Sequence, residues 1–214
     1  MYYNINNLDS KNFDFFQDIL DSNVDIFCFS ETHHLDKFNC INLQNIYTLC
    51  DQPGTKFTRK GRAKGGIICG WRKCLDNYVS YNLLDEGVIG LTFIRSAFKC
   101  CFWFLYFGPG AAYDSQCTEF FQSIASDQIP VIIAGDLNSR VKENSVRSKD
   151  RCNRDLKVNK RGRKLVALLN EMGFEIGNGC TPVDKDGSFS FVHRNGRDCS
   201  VNDFLIFRNI CVES

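Results

Sequence analysis

No apolar run in this 214-residue chain reaches the roughly 18 residues that a membrane-spanning helix needs, so an ordinary helical span is excluded. The opening Met1-Tyr2-Tyr3-Asn4-Ile5-Asn6 lacks the basic-then-apolar pattern of a secretory signal, and an intracellular location is expected. Cys-x-x-Cys pairs are also missing, although the chain holds twelve cysteines. That absence removes the usual zinc-ligand spacing. Several cysteines lie inside apolar runs, such as Cys28 in Ile26-Phe27-Cys28-Phe29 and Cys69 after Ile67-Ile68. They read as small buried hydrophobes carrying reduced thiols. No internal repeat or low-complexity linker interrupts the chain, so one domain over residues 1–214 is expected.

What is present is an ordinary globular composition, 43% hydrophobic and 24% charged, enough for a substantial core. The net charge of +1 conceals segregation. Residues 140–164 carry eleven Lys/Arg against Glu143, Asp150 and Asp155, and residues 56–64 carry Lys56, Arg59, Lys60, Arg62 and Lys64 with no acid. Basic loops on an otherwise acidic body suit a polyanionic substrate approached from one side. Two solvated surface loops are the plainer alternative.

Strands and helices alternate along the chain. A strand over 2–6 is followed by a helix that Ser10 can cap, with Phe13, Phe16, Ile19 and Leu20 at 3–4 spacing. Further strands are expected at 24–29, 67–71, 88–94 and 100–107, the last two joined as an antiparallel hairpin at Ser96-Ala97. A helix near 116–126 precedes the apolar run 130–135. A second helix spans about Lys160 to Met172, ended by Gly173, and strands near 174–177, 189–193 and 201–207 complete the chain. This is an α/β pattern with mixed sheets.

Polar residues just beyond apolar strands are the candidates for chemistry, because strand ends present side chains to clefts. Asn4 and Asn6 alternate with Ile5 and so should share a strand face. Glu31 ends the run 24–29, Asp136 and Asn138 follow the strand at 130–135, and Asp203 opens the last strand. A hard divalent cation takes carboxylate and amide oxygens of this kind. Each feature alone could be a turn residue or cap.

In order and spacing these blocks resemble the endonuclease/exonuclease/phosphatase superfamily. The matching pieces are Tyr3-Asn4-Ile5-Asn6-Asn7-Leu8, Phe29-Ser30-Glu31-Thr32, Leu105-Tyr106-Phe107-Gly108-Pro109, Gly135-Asp136-Leu137-Asn138 and Ser200-Val201-Asn202-Asp203. Lys64-Gly65-Gly66-Ile67, Lys157-Val158-Asn159-Lys160-Arg161-Gly162 and Phe174-Glu175-Ile176-Gly177-Asn178-Gly179 are most similar to the endonuclease domains of non-LTR retrotransposons. The resemblance implies a four-layer α/β sandwich, two packed mixed sheets flanked by helices. It implies a Mg2+ (or Mn2+) cofactor held by Glu31 with Asn4 and Asn6 nearby. Asp136 would orient or deprotonate the attacking water, while Asn138 and Tyr106 would donate to the phosphate. Asp203 would fix a histidine tautomer. DNA is the implied partner, met by Lys60, Arg62, Lys64, Arg140 and Arg161, and the retroelement branch implies a reverse transcriptase domain in the full-length protein and a nuclear location.

In that family a Ser-Asp-His block follows the Ser-x-x-Asp strand on one more strand. Here Ser214 lies eleven residues past Asp203 and no such block occurs, so a domain incomplete at its C-terminus, with the last strand missing, is expected. The histidines available are His33, His34 and His193. Three readings follow. One is a DNA endonuclease domain, inactive as given if the block is essential. The others are a non-catalytic DNA-binding remnant and a phosphatase of small phosphoesters or lipids.

Overall fold

The computed structural model describes residues 1–8, 13–56, 61–84, 86–126, 128–142, 152–181, 184–192 and 199–210, and the chain divides into two compact units, Met1–Tyr106 and Phe107–Ser214. Ser10, Lys60 and His193 lie outside the described residues.

The first unit runs β1 (Tyr2–Asn4), α1 (Phe13–Asp21), β2 (Ile26–Ser30), α2 (Ile41–Ile46), β3 (Tyr47–Gln52), β4 (Ile67–Arg72), β5 (Val79–Leu83), β6 (Val88–Arg95) and β7 (Phe98–Tyr106). One sheet has the order β1-β2-β4-β3, with β1 parallel to β2 and the other pairs antiparallel. Strand alternation divides β2 between two faces. Phe27 and Phe29 join Ile5, Ile19, Leu43, Tyr47 and Ile68 in one core cluster, which Phe15 and Phe16 of α1 cover. Phe27 stands opposite Gly70, where even a Cβ would come within 2.4 Å of its ring. The other face carries Cys28, Cys69 and Cys50, aligned across three strands. Burial raises the thiols of Cys28 and Cys69 well above the usual range, which keeps them protonated and unreactive. On this side β2 meets β7 and β4 meets β6, so the unit holds two packed sheet layers. The Ser96-Ala97 turn closes the β6–β7 hairpin where it was expected, with Arg95 opposite Phe98.

In this unit three α-helical or strand elements are additional to those read from the sequence: α2, β3 and β5. The expected first strand is also shorter. It ends at Asn4, and Asn6 turns out at φ 45° into solvent, so the two side chains do not share a strand face.

The second unit runs α3 (Ala112–Ser123), β8 (Val131–Asp136), α4 (Lys160–Met172), β9 (Glu175–Ile176), β10 (Phe191–Val192), β11 (Cys199–Ser200) and β12 (Asp203–Arg208). β12 pairs antiparallel with both β8 and β9, and β10 with β11. The helix α3 begins four residues earlier than its apolar pattern indicates. The helix α4 keeps its expected bounds: Asn159 caps its first turn by accepting from the Gly162 N–H at 2.6 Å, and Gly173 ends it at φ 72°. Among the described residues the strands form a four-stranded and a six-stranded sheet plus a two-stranded ribbon, and with four α-helices this is the α/β sandwich class.

Arg208, buried on β12, joins both helix ends to the strand layer. Its guanidinium donates to the carbonyls of Ile124 (2.7 Å) and Ala125 (2.9 Å) beyond α3 and to Met172 (3.5 Å) at the end of α4, and it lies 4.4 Å from the Phe174 ring. The cation thus meets the negative ends of two helices while covering an aromatic face. Each hydrogen bond to a charged group is worth about 1.5–3 kcal/mol, so Arg208→Met should lower unfolding free energy by about 2–4 kcal/mol in urea titration, with an unchanged m-value.

Candidate functional site

In the first unit the site is built around Glu31, the residue that follows β2. The backbone there leaves the strand at φ 51°, a region a glutamate rarely occupies. It is held by neighbours on both sides. The segment after β1 runs alongside, with Ile5 N–H donating to Ser30 O (3.0 Å), Asn7 N–H to Glu31 O (2.8 Å) and Leu8 N–H to Thr32 O (2.8 Å). On the other side the Thr32 and His33 N–H groups donate to Gly66 O and Gly65 O. Gly66 sits at φ 85°, and a Cβ there would lie 2.4 Å from Thr32 Oγ1, so glycine is required at Gly66 by space as well as conformation, and at Gly65 (φ 69°) by conformation alone.

The Glu31 carboxylate accepts a hydrogen bond of 2.7 Å from the buried hydroxyl of Tyr106. The hydroxyl of Tyr106, expected to donate to a phosphate, fixes this carboxylate in the structure. Asn4 ends β1 opposite Ser30, the residue before Glu31, and its Oδ1 accepts from the Asn6 N–H (3.2 Å). Asn6 accepts from the exposed Arg62 guanidinium at 2.7 Å, which makes it a partner of the basic loop instead of a neighbour of Asn4 on the strand. Lys64 is exposed and pairs with Thr55 through its main chain. Burial, then the Arg62 charge, lowers the pKa of His33, with Glu31 opposing, so this imidazole is neutral at pH 7. His34 is enclosed, its Nδ1 2.6 Å from Thr32 Oγ1 and its Nε2 3.1 Å from Asp51 Oδ2. It braces the Glu31 loop from behind.

One carboxylate with an amide oxygen nearby could hold a magnesium-like cation, which commonly takes one or two protein carboxylates and fills its remaining positions with water or phosphate oxygens. Among the described residues no group of three or more His, Cys, Asp or Glu could form a closed metal cage. The donor set present is therefore sparse and all oxygen.

In the second unit Asp136 ends β8 and Asp203 opens β12, and the antiparallel register sets them directly opposite each other. Opposed residues share a sheet face with Cβ atoms about 5 Å apart. Asp136 is only 5% exposed, and its Oδ1 accepts the Asn138 N–H at 2.9 Å, a tight turn that places Asn138 at φ 47°. The Asn138 amide donates one hydrogen to Phe107 O at 2.9 Å, leaving its second N–H for another acceptor. The Asp203 N–H donates to Ser190 Oγ (3.0 Å), and its carbonyl accepts from Asn178, whose Oδ1 also takes the Leu205 N–H.

Two arginines expected to meet DNA make hydrogen bonds within this unit. Arg161 is 9% exposed and donates to Asp114 Oδ1 (2.6 Å), Gly110 O (2.6 Å), Gly108 O (2.8 Å) and Leu137 O (3.2 Å). A basic residue at the first turn of a helix cannot be told from a surface cation by sequence alone. Here its guanidinium holds the segment after Phe107 and the turn after Asp136. Arg140 forms a bidentate pair with the buried Asp155 (2.8 and 2.6 Å) and donates to Cys199 O (2.9 Å). Asp155 also accepts the N–H groups of Lys157 (3.0 Å) and Val201 (3.2 Å), tying the turn after β8 to the start of β12. Neither Asp155 nor Asn159, whose Oδ1 takes the Arg140 N–H at 3.2 Å, was singled out from sequence. The available signal was an acid isolated within a strongly basic loop, which implies an internal ion-pair partner.

The model of the Endonuclease/Exonuclease/phosphatase family matches residues 1–199. Among solved structures, a 3'-5' exonuclease (NExo) from Neisseria meningitidis aligns with a TM-score of 0.67 and 16% identity over 97% of this chain and 85% of its own. The AP endonuclease LMAP from Leishmania major gives 0.70 and 14%, over 97% and 78%. The endonuclease domain of TRAS1, a telomere-specific non-LTR retrotransposon, gives 0.59 and 16%, over 95% and 83%. At these identities the likeness is one of fold. No curated protein matches the chain.

Burial of Asp155 favours its neutral form, but the Arg140 fork and two backbone N–H groups outweigh it, and its pKa lies below the ordinary 3.8. The stability this provides is fully present above the unfolded carboxylate pKa and is lost as pH falls through the lower folded value. The stability gap between wild type and Asp155→Asn should therefore be flat above about pH 5 and narrow only below about pH 4 in denaturant titrations.

Proposed function

Since the chain belongs to the endonuclease/exonuclease/phosphatase family, a family of metal-dependent nucleases and phosphatases, we propose that it is a divalent-metal-dependent phosphodiesterase that cuts DNA. The observation that carries this reading is the pairing of Asp136 with Asp203 across the β8–β12 ladder, with Asn138 fixed by its turn beside them. Two carboxylates and an amide held on a rigid strand edge suit proton transfer from water and positioning of a phosphate.

In this reading Glu31, with Asn4 nearby, holds a magnesium or manganese ion, which supplies neutralisation of phosphate charge when bound. The Tyr106 hydroxyl limits Glu31 to one orientation, so that ligand is preorganised. Asp136 orients the attacking water and takes its proton. The second N–H of Asn138 donates to a phosphoryl oxygen as charge develops. Asp203, its main chain clipped by Ser190 and Asn178, is the carboxylate that would orient an imidazole.

DNA as substrate is supported by the exposed Arg62 and Lys64 and by the named activities of the similar structures, an exonuclease and two endonucleases. The blocks at 157–162 and 174–179 carry the assignment to the non-LTR retroelement branch. A reverse transcriptase partner and a nuclear site of action follow from that assignment.

The test is nicking of supercoiled plasmid with Mg2+ and with EDTA. Wild type should nick only with the metal, and Asp136→Ala should lose about 10²–10⁴-fold, the usual worth of a general base. Glu31→Gln should need far more Mg2+ for half-maximal rate. Salt-sensitive DNA binding with no cleavage at any metal concentration would instead identify a binding remnant. Turnover of a soluble inositol phosphate without nicking would identify a phosphatase.

A further inference from the structure

The loop that follows the basic segment of the second unit borders an open groove of about 360 Å³, lined by Arg140, Arg154, Asp155, Leu156, Lys157, Phe189 and Cys199. That volume is within the range of small-ligand sites. Three cations face one carboxylate, and that carboxylate is already saturated by Arg140 and two N–H groups. Between the cations two large apolar side chains are left in water, Leu156 at 68% exposure and Phe189 at 38%. Lying together beside charged groups, they give the groove an apolar surface between its cations. Arg154 reaches Asp186 at 3.3 Å, but both side chains are more than half exposed, so the pair is weak and exchangeable.

Cations alternating with an aromatic and an aliphatic side chain fit a chain that is itself alternating, anionic at its phosphates and flat and apolar at its bases. We infer that this groove binds an unpaired nucleotide of the DNA strand flanking the cut. This rests on the proposed DNA-cutting activity. Lys157 and Arg154 take the phosphates, and one base lies on the Phe189 ring with Leu156 at its edge. A paired duplex hides its base faces and cannot use the ring.

The position along the chain supports a flanking nucleotide. Arg140 is four residues past Asp136, and Cys199 four residues before Asp203, so each groove wall grows directly out of a strand end bearing a candidate catalytic carboxylate. Four residues span at most about 14 Å. That is about four base steps along one strand of B-form DNA. The groove therefore reads a nucleotide within about four base steps of the scissile phosphate, and the enzyme favours sites where one strand is frayed, gapped or tailed.

The test is fluorescence anisotropy in EDTA, which separates binding from cleavage, with labelled oligo-dT and a labelled blunt duplex as probes. Phe189→Ala should weaken oligo-dT binding about tenfold, the lower-middle of the range for loss of one stacked base, and leave duplex binding and the melting temperature unchanged. Phe189→Trp should restore it. Lys157→Ala should lower the salt slope for oligo-dT by about 0.7, one phosphate contact on a single strand. Oligo-dT binding equal to wild type in both Ala variants overturns the groove, and plasmid nicking by the same preparations then shows whether the DNA-cutting reading survives. Displacement of oligo-dT by polyglutamate but not by unlabelled oligo-dA also overturns it, in favour of an acidic protein segment.

Discussion

The register of one antiparallel ladder governs the candidate chemistry of the second unit. Asp203 opposes Asp136 because Arg208 opposes Val131 at the far end and every residue between keeps step. A slip of one position would turn the inward set Phe204, Ile206 and Arg208 outward and separate the two carboxylates onto opposite faces. Apolar burial along β8 and β12 forbids this slip, so the core fixes the site geometry. The polar ties then finish the ends. Arg161 holds the Leu137 carbonyl, Asp155 takes the Val201 N–H, and Asn159 joins the Arg140 main chain to the first turn of α4. These are buried or half-buried groups whose loss would leave partners unsatisfied, which is why they specify one arrangement of the turn.

The first unit solves a similar problem with space. Glu31 must leave a buried strand and turn its carboxylate outward, and the left-handed conformation that does so is not one a glutamate prefers. The flanking chain supports it: Gly65 and Gly66 approach closely enough to accept the next two N–H groups, and Tyr106 fixes the side chain. The Thr32–His34–Asp51 chain closes the loop from the interior.

Much of this was legible. The α4 helix is bounded by an Asn cap and a Gly stop, both strong local signals, and the β6–β7 turn by a break between two aromatic-rich runs. The strands that end in Glu31 and Asp136 were visible as short apolar runs. What was hidden had physical reasons. The six-residue α2 carries no charged cap, β3 buries only Tyr47 and Cys50 out of strict alternation, and β5 is largely exposed, so none shows a clear period. Asn6 followed a strand-like alternation, but its positive φ depends on contacts with a distant loop. Arg140 and Arg161 looked like any other cations of a basic segment. Only the carbonyls and carboxylates that converge on them, from residues 15 to 59 positions away, show that they are internal.

In the proposed activity Asp136 and Asp203 act as a unit across the ladder. The most direct measurement is a cycle of Asp136→Asn, Asp203→Asn and the double variant, read as the single-turnover nicking rate with Mg2+. Residues that act as a unit are strongly non-additive, so the double variant should be about as slow as the slower single variant. Losses that multiply, or a wild-type protein that is folded yet shows no metal-dependent cleavage, would contradict the claim.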